Sequence, residues 1–231
     1  MKTIGLIGGT SWESTVTYYQ LLNRQVNAAL GGAHSAKCIL YSVDFDQTEK
    51  NIAANRWDQI AATLGEAAKS LEAAGADFIL ICTNTLHKVL PMIKDQVSIP
   101  FLHIAGATAD KIEEAGIKKI GLLGTKATMT QDFYKGILAD RGLEVLTPTK
   151  EEDLDLINRV IFDELCHGVV KESSKREYQR IIGELAARGA EGIILGCTEI
   201  DLLIKQEDTE LPIFDTTAIH AAVAVERALQ D

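Results

Sequence analysis

The sequence predicts an α/β protein of two pseudo-symmetric, doubly wound lobes, each built on a mainly parallel sheet, with an active site in the cleft between them. Two observations predict it. Short apolar runs alternate with helix-period segments from end to end, the pattern of βαβ units around parallel strands. The chain also repeats itself after about half its 231 residues.

Strands are expected at 3–8, 37–43, 77–82, 99–104, 119–124, 144–147, 192–197 and 212–214. Several, such as "FILIC" and "GIILG", are continuous apolar runs, as strands covered on both faces should be. Between them, "YYQLLNRQVNAAL", "WDQIAATLGEAAKSLEAAG", "LINRVIFDELCHGVV" and "YQRIIGELAARG" have helical periodicity. Gly75, Gly116 and Gly189 follow helical segments, where a C-terminal glycine belongs.

The repeat is specific. "IGLIGGT" at 4–10 matches "IGLLGTK" at 120–126, and Tyr18 falls over Tyr134, both 116 positions on. "GADFILICT" at 75–83 matches "GAEGIILGCT" at 189–198, with Cys82 over Cys197, 115 positions on. "IPFLH" at 99–103 resembles "LPIFD" at 211–215. Any doubly wound protein repeats helix, glycine and strand, but that does not explain Cys-Thr at both strand ends. The first lobe is expected to comprise 1–98 and 216–231, the second 99–215, with the last helix crossing back.

Composition narrows the partners. A net charge of −10 argues against nucleic acid and anionic membrane. No apolar run nears the roughly 18 residues of a membrane span, and "MKTIGLIGG" reads as a strand and not a signal peptide, so a cytoplasmic protein is expected. Cys38, Cys82, Cys166 and Cys197 are widely spaced, without CxxC or CxxH, so neither a disulfide framework nor a structural zinc site is expected. "GLIGGT" has the wrong spacing for a dinucleotide fingerprint.

Ligands of open parallel sheets bind beyond the carboxyl ends of the strands, where Cys82 and Cys197 lie. Two halves packed face to face would put these thiols on opposite sides of one cleft, suited to a nearly mirror-symmetric reaction such as racemisation. Thr83-Asn84-Thr85 and Thr198-Glu199 read as helix starts whose side chains cap free N–H groups. Such starts would lower a thiol below its usual value of about 8.5 and hold carboxylates. "GGTSWES" and "GTKATMT" supply two more at the same edges, giving a cleft fit for a small dicarboxylate.

"CTNTLH", "GCTEI", "IGLIGG" and "FDTTAIHA" resemble the aspartate/glutamate racemase family over nearly the whole chain. The resemblance implies two acid/base cysteines, Cys82 and Cys197, with neither pyridoxal phosphate nor metal, and a homodimer. It implies a substrate site lined by Thr10, Ser11, Trp12, Thr83, Asn84, Thr85, Thr125, Thr198 and Glu199. Cell-wall glutamate racemases carry an acidic residue in the loop after the first strand. Here that loop is Gly9-Thr10-Ser11-Trp12, which favours aspartate or a broader range of substrates. The family's Arg after the second strand is replaced by "DFDQTEK", and its Lys by Cys166 or His167 in "DELCHG". Lys50, Arg56 and His103 are the remaining candidates for charge.

Other readings stay open. One is cis–trans isomerisation of a dicarboxylate with one cysteine as nucleophile; another is amino-acid binding without catalysis. Cys38 and Cys166 read as structural, and His87 and His103 as packing or surface residues. Asp215 and His220 are expected to cap and anchor the last helix. Trp12 is either a lid or core, and Glu199 either a helix-start charge or a partner for the substrate ammonium or for Cys197.

Overall fold

A computed structural model describes residues 1–230, which form two compact units. The first comprises Met1–Ile104 and the chain from His220 onward; the second is Ala105–Ile219. The first contains β1 (Ile4–Gly8), α1 (Trp12–Leu30), β2 (Cys38–Ser42), α2 (Phe45–Ala53), α3 (Trp57–Ala73), β3 (Phe78–Ile81), α4 (Leu90–Ile93) and β4 (Phe101–Leu102). There follow α5 (Ile104–Glu114), β5 (Lys119–Gly124), α6 (Lys126–Thr130), α7 (Asp132–Asp140), β6 (Glu144–Leu146), α8 (Glu151–Asp163), α9 (Glu172–Ala187), β7 (Gly192–Gly196) and β8 (Ile213–Asp215). The last helix, α10 (Thr216–Leu229), starts in the second unit and enters the first at His220.

Both sheets are wholly parallel and share one order, β2-β1-β3-β4 and β6-β5-β7-β8. All eight expected strands form. The duplication extends to bonds at the strand starts. Ile79 N–H donates to the Pro100 carbonyl at 3.0 Å, and Ile193 N–H to the Pro212 carbonyl at 2.9 Å. The Asp77 carboxylate accepts from Thr3 N–H, and that of Glu191 from Lys118 and Lys119 N–H. Gly75, Gly116 and Gly189 take φ of 92°, 73° and 93°, the left-handed turn that ends each preceding helix.

The central strands are buried because helices cover both faces. Phe78, Ile79, Leu80 and Ile81 are each at most 1% exposed, and each such side chain contributes about 1.5–3 kcal/mol of burial. One apolar layer joins Tyr18, Leu22 and Val26 of α1 to Leu6, Leu80 and Cys82 and to Ala221, Ala224 and Val225 of α10. On the other face α3 packs Ile60, Leu64 and Leu71 against Ile7, Ile79 and Ile81. In the second unit α8 and α9 supply Ile157, Ile161, Tyr178 and Leu185 to the layer around Ile193 and Leu195.

Two boundaries differ from those expected. Residues 99–104 fall in the first unit and not the second, because β4 hydrogen-bonds to β3 through the registers Ile79–Phe101 and Leu80–Leu102. The segment from 216 to Ile219 falls in the second, where the Thr216 hydroxyl donates to the Leu195 carbonyl at 2.8 Å. The copy of α1 is not one helix: Gln131, at φ −100° and ψ 153°, splits it into α6 and α7.

Candidate active site

The loops after β1 and β3 make the carboxyl edge of the first sheet. Ile7 lies opposite Ile81 in register, and Cys82 N–H donates to the Ile7 carbonyl at 2.9 Å. This sets Gly8-Gly9-Thr10-Ser11 beside Cys82-Thr83-Asn84. At Gly9, φ is 79° and an added Cβ would stand 2.2 Å from the Val43 carbonyl oxygen, so only glycine fits. Gly9 N–H donates to Thr15 Oγ1 at 2.9 Å, and that hydroxyl donates to the Ser11 carbonyl at 3.1 Å. Ser11 itself has φ 79°, a strained value for a residue with a Cβ. Thr10 Oγ1 and Ser11 Oγ are buried with no hydrogen-bond partner among the described residues. Buried hydroxyls left in that state are costly. Trp12 is 64% exposed, which excludes the core reading for it.

The second sheet repeats the arrangement. Leu123 and Gly124 lie opposite Leu195 and Gly196 in register, which brings Thr125 beside Cys197 and Thr198. Thr125 caps α6 by accepting from Thr128 N–H, and its hydroxyl bonds that of Thr128 at 3.0 Å. Thr128 resembles Thr15 in lying against its strand-end glycine: a Cβ added at Gly8 would meet Thr15 Cγ2 at 2.5 Å, and one added at Gly124 would meet the Gly196 carbonyl oxygen at 2.8 Å and Thr128 Cβ at 3.2 Å. Cys197 Sγ donates to Glu199 Oε2 at 3.1 Å, and Thr198 Oγ1 donates to the same oxygen at 2.7 Å. Glu199 is only 5% exposed. Past β8, Asp215 Oδ1 accepts from Thr217 and Ala218 N–H at 2.8 and 3.2 Å and so caps α10. Thr217 Oγ1 is a further buried hydroxyl without a partner among the described residues. Thr15 and Thr128 take part through bonds within their own loops, and Thr217 through a buried hydroxyl.

The local structure at the cysteines departs from expectation. The segments after them are 3-10 turns, Thr85–Val89 and Ile200–Leu202, and neither Asn84 nor Glu199 caps its turn with its side chain. Burial outweighs the turn starts in setting the acidity of both sulfurs, although Glu199 N–H offsets part of it at Cys197. The Cys82 thiol is fully buried and pushed well up by desolvation, with Cys38 adding to it. The Cys197 thiol is also pushed up, first by desolvation and then by the Glu199 carboxylate. The expected lowering is therefore reversed. A thiolate formed in such a place is a stronger base for its poor solvation.

The three candidate cations fare unequally. Lys50 is paired with Asp46 at 2.6 Å along α2. Burial lowers His103 to about 4, so it is neutral near pH 7. Arg56 is exposed at the start of α3. Cys166 packs against the second unit's core, whereas His167 is exposed.

The sequence profile of the Asp/Glu/Hydantoin racemase family matches residues 7–224. Fold and profile together mark a duplicated α/β isomerase of the racemase type. The chain belongs to the Asp/Glu/Hydantoin racemase family. It is similar to a candidate Asp/Glu racemase from Yersinia pestis, at 53% identity and a TM-score of 0.94 over all of both chains. An aspartate racemase homologue from Pyrococcus horikoshii is 39% identical, with a TM-score of 0.86 over all of both chains. The broad specificity amino-acid racemase RacX of Bacillus subtilis is 27% identical over 172 residues, covering 73% of this chain and 72% of RacX. No helix among the described residues is long and apolar enough to cross a membrane.

Proposed function

We propose that this protein racemises an acidic amino acid, aspartate or glutamate, by a two-base thiol mechanism without pyridoxal phosphate or metal. One thiolate takes the α-proton and the other thiol returns a proton to the opposite face. The observation that carries the reading is the repetition itself: Cys-Thr at the end of β3 and again at the end of β7, each beside the loop of the neighbouring central strand. The mechanism asks both sulfurs to reach opposite faces of one carbon. The raised thiols suit it, because an α-proton is weakly acidic and a poorly solvated thiolate is a stronger base.

The unpartnered hydroxyls of Thr10, Ser11 and Thr217 support recognition of substrate oxygens by uncharged donors. Asn84, Thr83, Thr85, Thr125 and Thr198 belong to the same two edges and complete the proposed binding site. Trp12, exposed at the head of α1, serves as its cover. Glu199 governs the proton on Cys197. A cytoplasmic homodimer is part of the reading. It is supported by exposed Val16 and Tyr19 on α1 and Leu40 and Tyr41 on the edge strand β2, apolar surface that a partner would cover.

The test is replacement of each cysteine. Cys82→Ala and Cys197→Ala should each abolish interconversion of L- and D-aspartate or glutamate while leaving the far-UV circular dichroism unchanged. Normal racemisation by a folded Cys197→Ala protein would refute the two-base mechanism.

A further inference from the structure

Three histidines far apart in sequence gather in the first unit. The His87 ring centroid lies 4.5 Å from that of His103 and 6.0 Å from that of His220. His87 and His220 are at most 1% exposed. Their partners fix their tautomers. His87 Nδ1 lies 2.8 Å from the Thr83 carbonyl, which only accepts, while Nε2 receives Ile104 N–H at 3.3 Å. His87 is therefore neutral with its proton on Nδ1. His220 Nε2 donates to the Leu102 carbonyl at 2.9 Å, and Nδ1 lies 2.8 Å from the Tyr18 hydroxyl. Buried and neutral, His220 carries its proton on Nε2 and accepts from Tyr18.

The two rings form one brace. His220, backed by Tyr18 of α1, grips the carbonyl at the end of β4. Two residues on, Ile104 N–H opens α5 and holds His87. The free end of the brace is the Nδ1–H of His87, and it closes on Thr83, the residue after Cys82. In the same turn Cys82 N–H donates to the Ile7 carbonyl, and His87 N–H to the Asn84 carbonyl at 3.1 Å.

The other half lacks the device. The position matching His87, 115 on, is Leu202, which cannot donate and is 49% exposed. There Cys197 has the carboxylate of Glu199 at its sulfur instead. With both nitrogens of His87 and of His220 engaged, the cluster is not a metal site, and no group of His, Cys, Asp and Glu fit to hold a metal occurs among the described residues.

We propose that His87 is a positioning residue for Cys82: its Nδ1–H clamps the Thr83 carbonyl and fixes the direction of the Cys82 thiol. This rests on the reading of Cys82 as an acid/base group. Two substitutions separate the clamp from packing. Asparagine at 87 puts an amide N–H close to the place of Nδ1; glutamine puts its amide near the place of Nε2.

The experiment is hydrogen–deuterium exchange of the peptide spanning Cys82–Leu86 in wild type, His87→Asn and His87→Gln, with 15N spectra of the imidazoles. His87→Gln should exchange about tenfold faster than wild type, the effect of losing one net hydrogen bond. His87→Asn should stay nearer wild type, and kcat should fall further in His87→Gln than in His87→Asn with little change in KM. The 15N shifts of wild type should show Nδ1–H at His87 and Nε2–H at His220. Equal exchange in the two variants, or an Nε2–H or imidazolium form at His87, would overturn the clamp. If a variant does not fold, the wild-type shifts still decide the tautomer. A wild type that does not racemise would strike the reading of Cys82, and exchange and shifts would judge the clamp without it.

Discussion

The Cys197 sulfur donates to the Glu199 carboxylate at 3.1 Å, whereas the residue at the matching place after Cys82 is the neutral Asn84. The duplicated halves thus differ in charge where the proposed chemistry takes place. Cys197 carries a carboxylate that opposes its ionisation; Cys82 is held up by burial, with Cys38 as a smaller contributor.

Glu199→Gln should therefore act on one thiol alone. Removing the negative charge favours the Cys197 thiolate, so more of that thiol is ionised at any given pH. Its alkylation at fixed pH should speed up about tenfold. Mass spectrometry of both cysteine peptides after timed iodoacetamide treatment measures this, with Cys82 as the internal reference. An unchanged Cys197 rate would show that the carboxylate does not set its proton.

Ser11 combines φ 79° with a buried hydroxyl that has no partner among the described residues. Ser11→Gly relieves the strain, worth about 1 kcal/mol, so melting should rise by about 2–4 °C. Losing the hydroxyl should lower kcat/KM for the acidic substrate. Thermal unfolding and steady-state kinetics test the pair, and a variant both less stable and equally active would contradict this account of the loop.

Acid should destabilise the first unit well above the range of carboxylates. His87 and His220 are held neutral by burial, His220 with a pKa lowered to about 3. An unfolded histidine takes up a proton near pH 6.5, which the folded rings refuse. Stability is therefore full above about 6.5 and falls as pH drops below it, by about 2 kcal/mol per ring between pH 7 and 5. Carboxylates held low, such as Asp208 and Glu184, act in the same direction only near and below their ordinary values of 3.8 and 4.5. Urea midpoints at pH 7 and 5 measure the loss, and equal midpoints would refute it.

Much of the fold was legible because its signals are local and doubled. Apolar runs such as 78–81 and 192–196 show strands covered on both faces, and the repeat of "GADFILICT" in "GAEGIILGCT" shows that one architecture occurs twice. What was not legible depends on contacts across the chain. Nothing near His87, His103 or His220 shows that the rings meet, since their spacing follows no motif. The break at Gln131 lies in a segment whose side chains suit a continuous helix. Polar residues after each cysteine suggest capped helix starts, yet neither Asn84 nor Glu199 caps its 3-10 turn with its side chain. Residues 99–104 read as part of the second half, but their membership depends on which strand β4 pairs with. The candidate site was partly visible: Thr10, Ser11, Thr125 and Glu199 are named from the motifs; Thr128 and Thr217 lie within quoted motifs but are not singled out there, and Thr15 lies just beyond one.

The most direct measurement is incubation of the purified protein, with no added cofactor, in D₂O with L-aspartate and L-glutamate. Loss of the α-proton signal is followed by NMR, and the enantiomers are resolved at the end. The account predicts deuterium at the α-carbon together with appearance of the D-form, for an acidic amino acid in preference to neutral ones. No exchange with either substrate would contradict it.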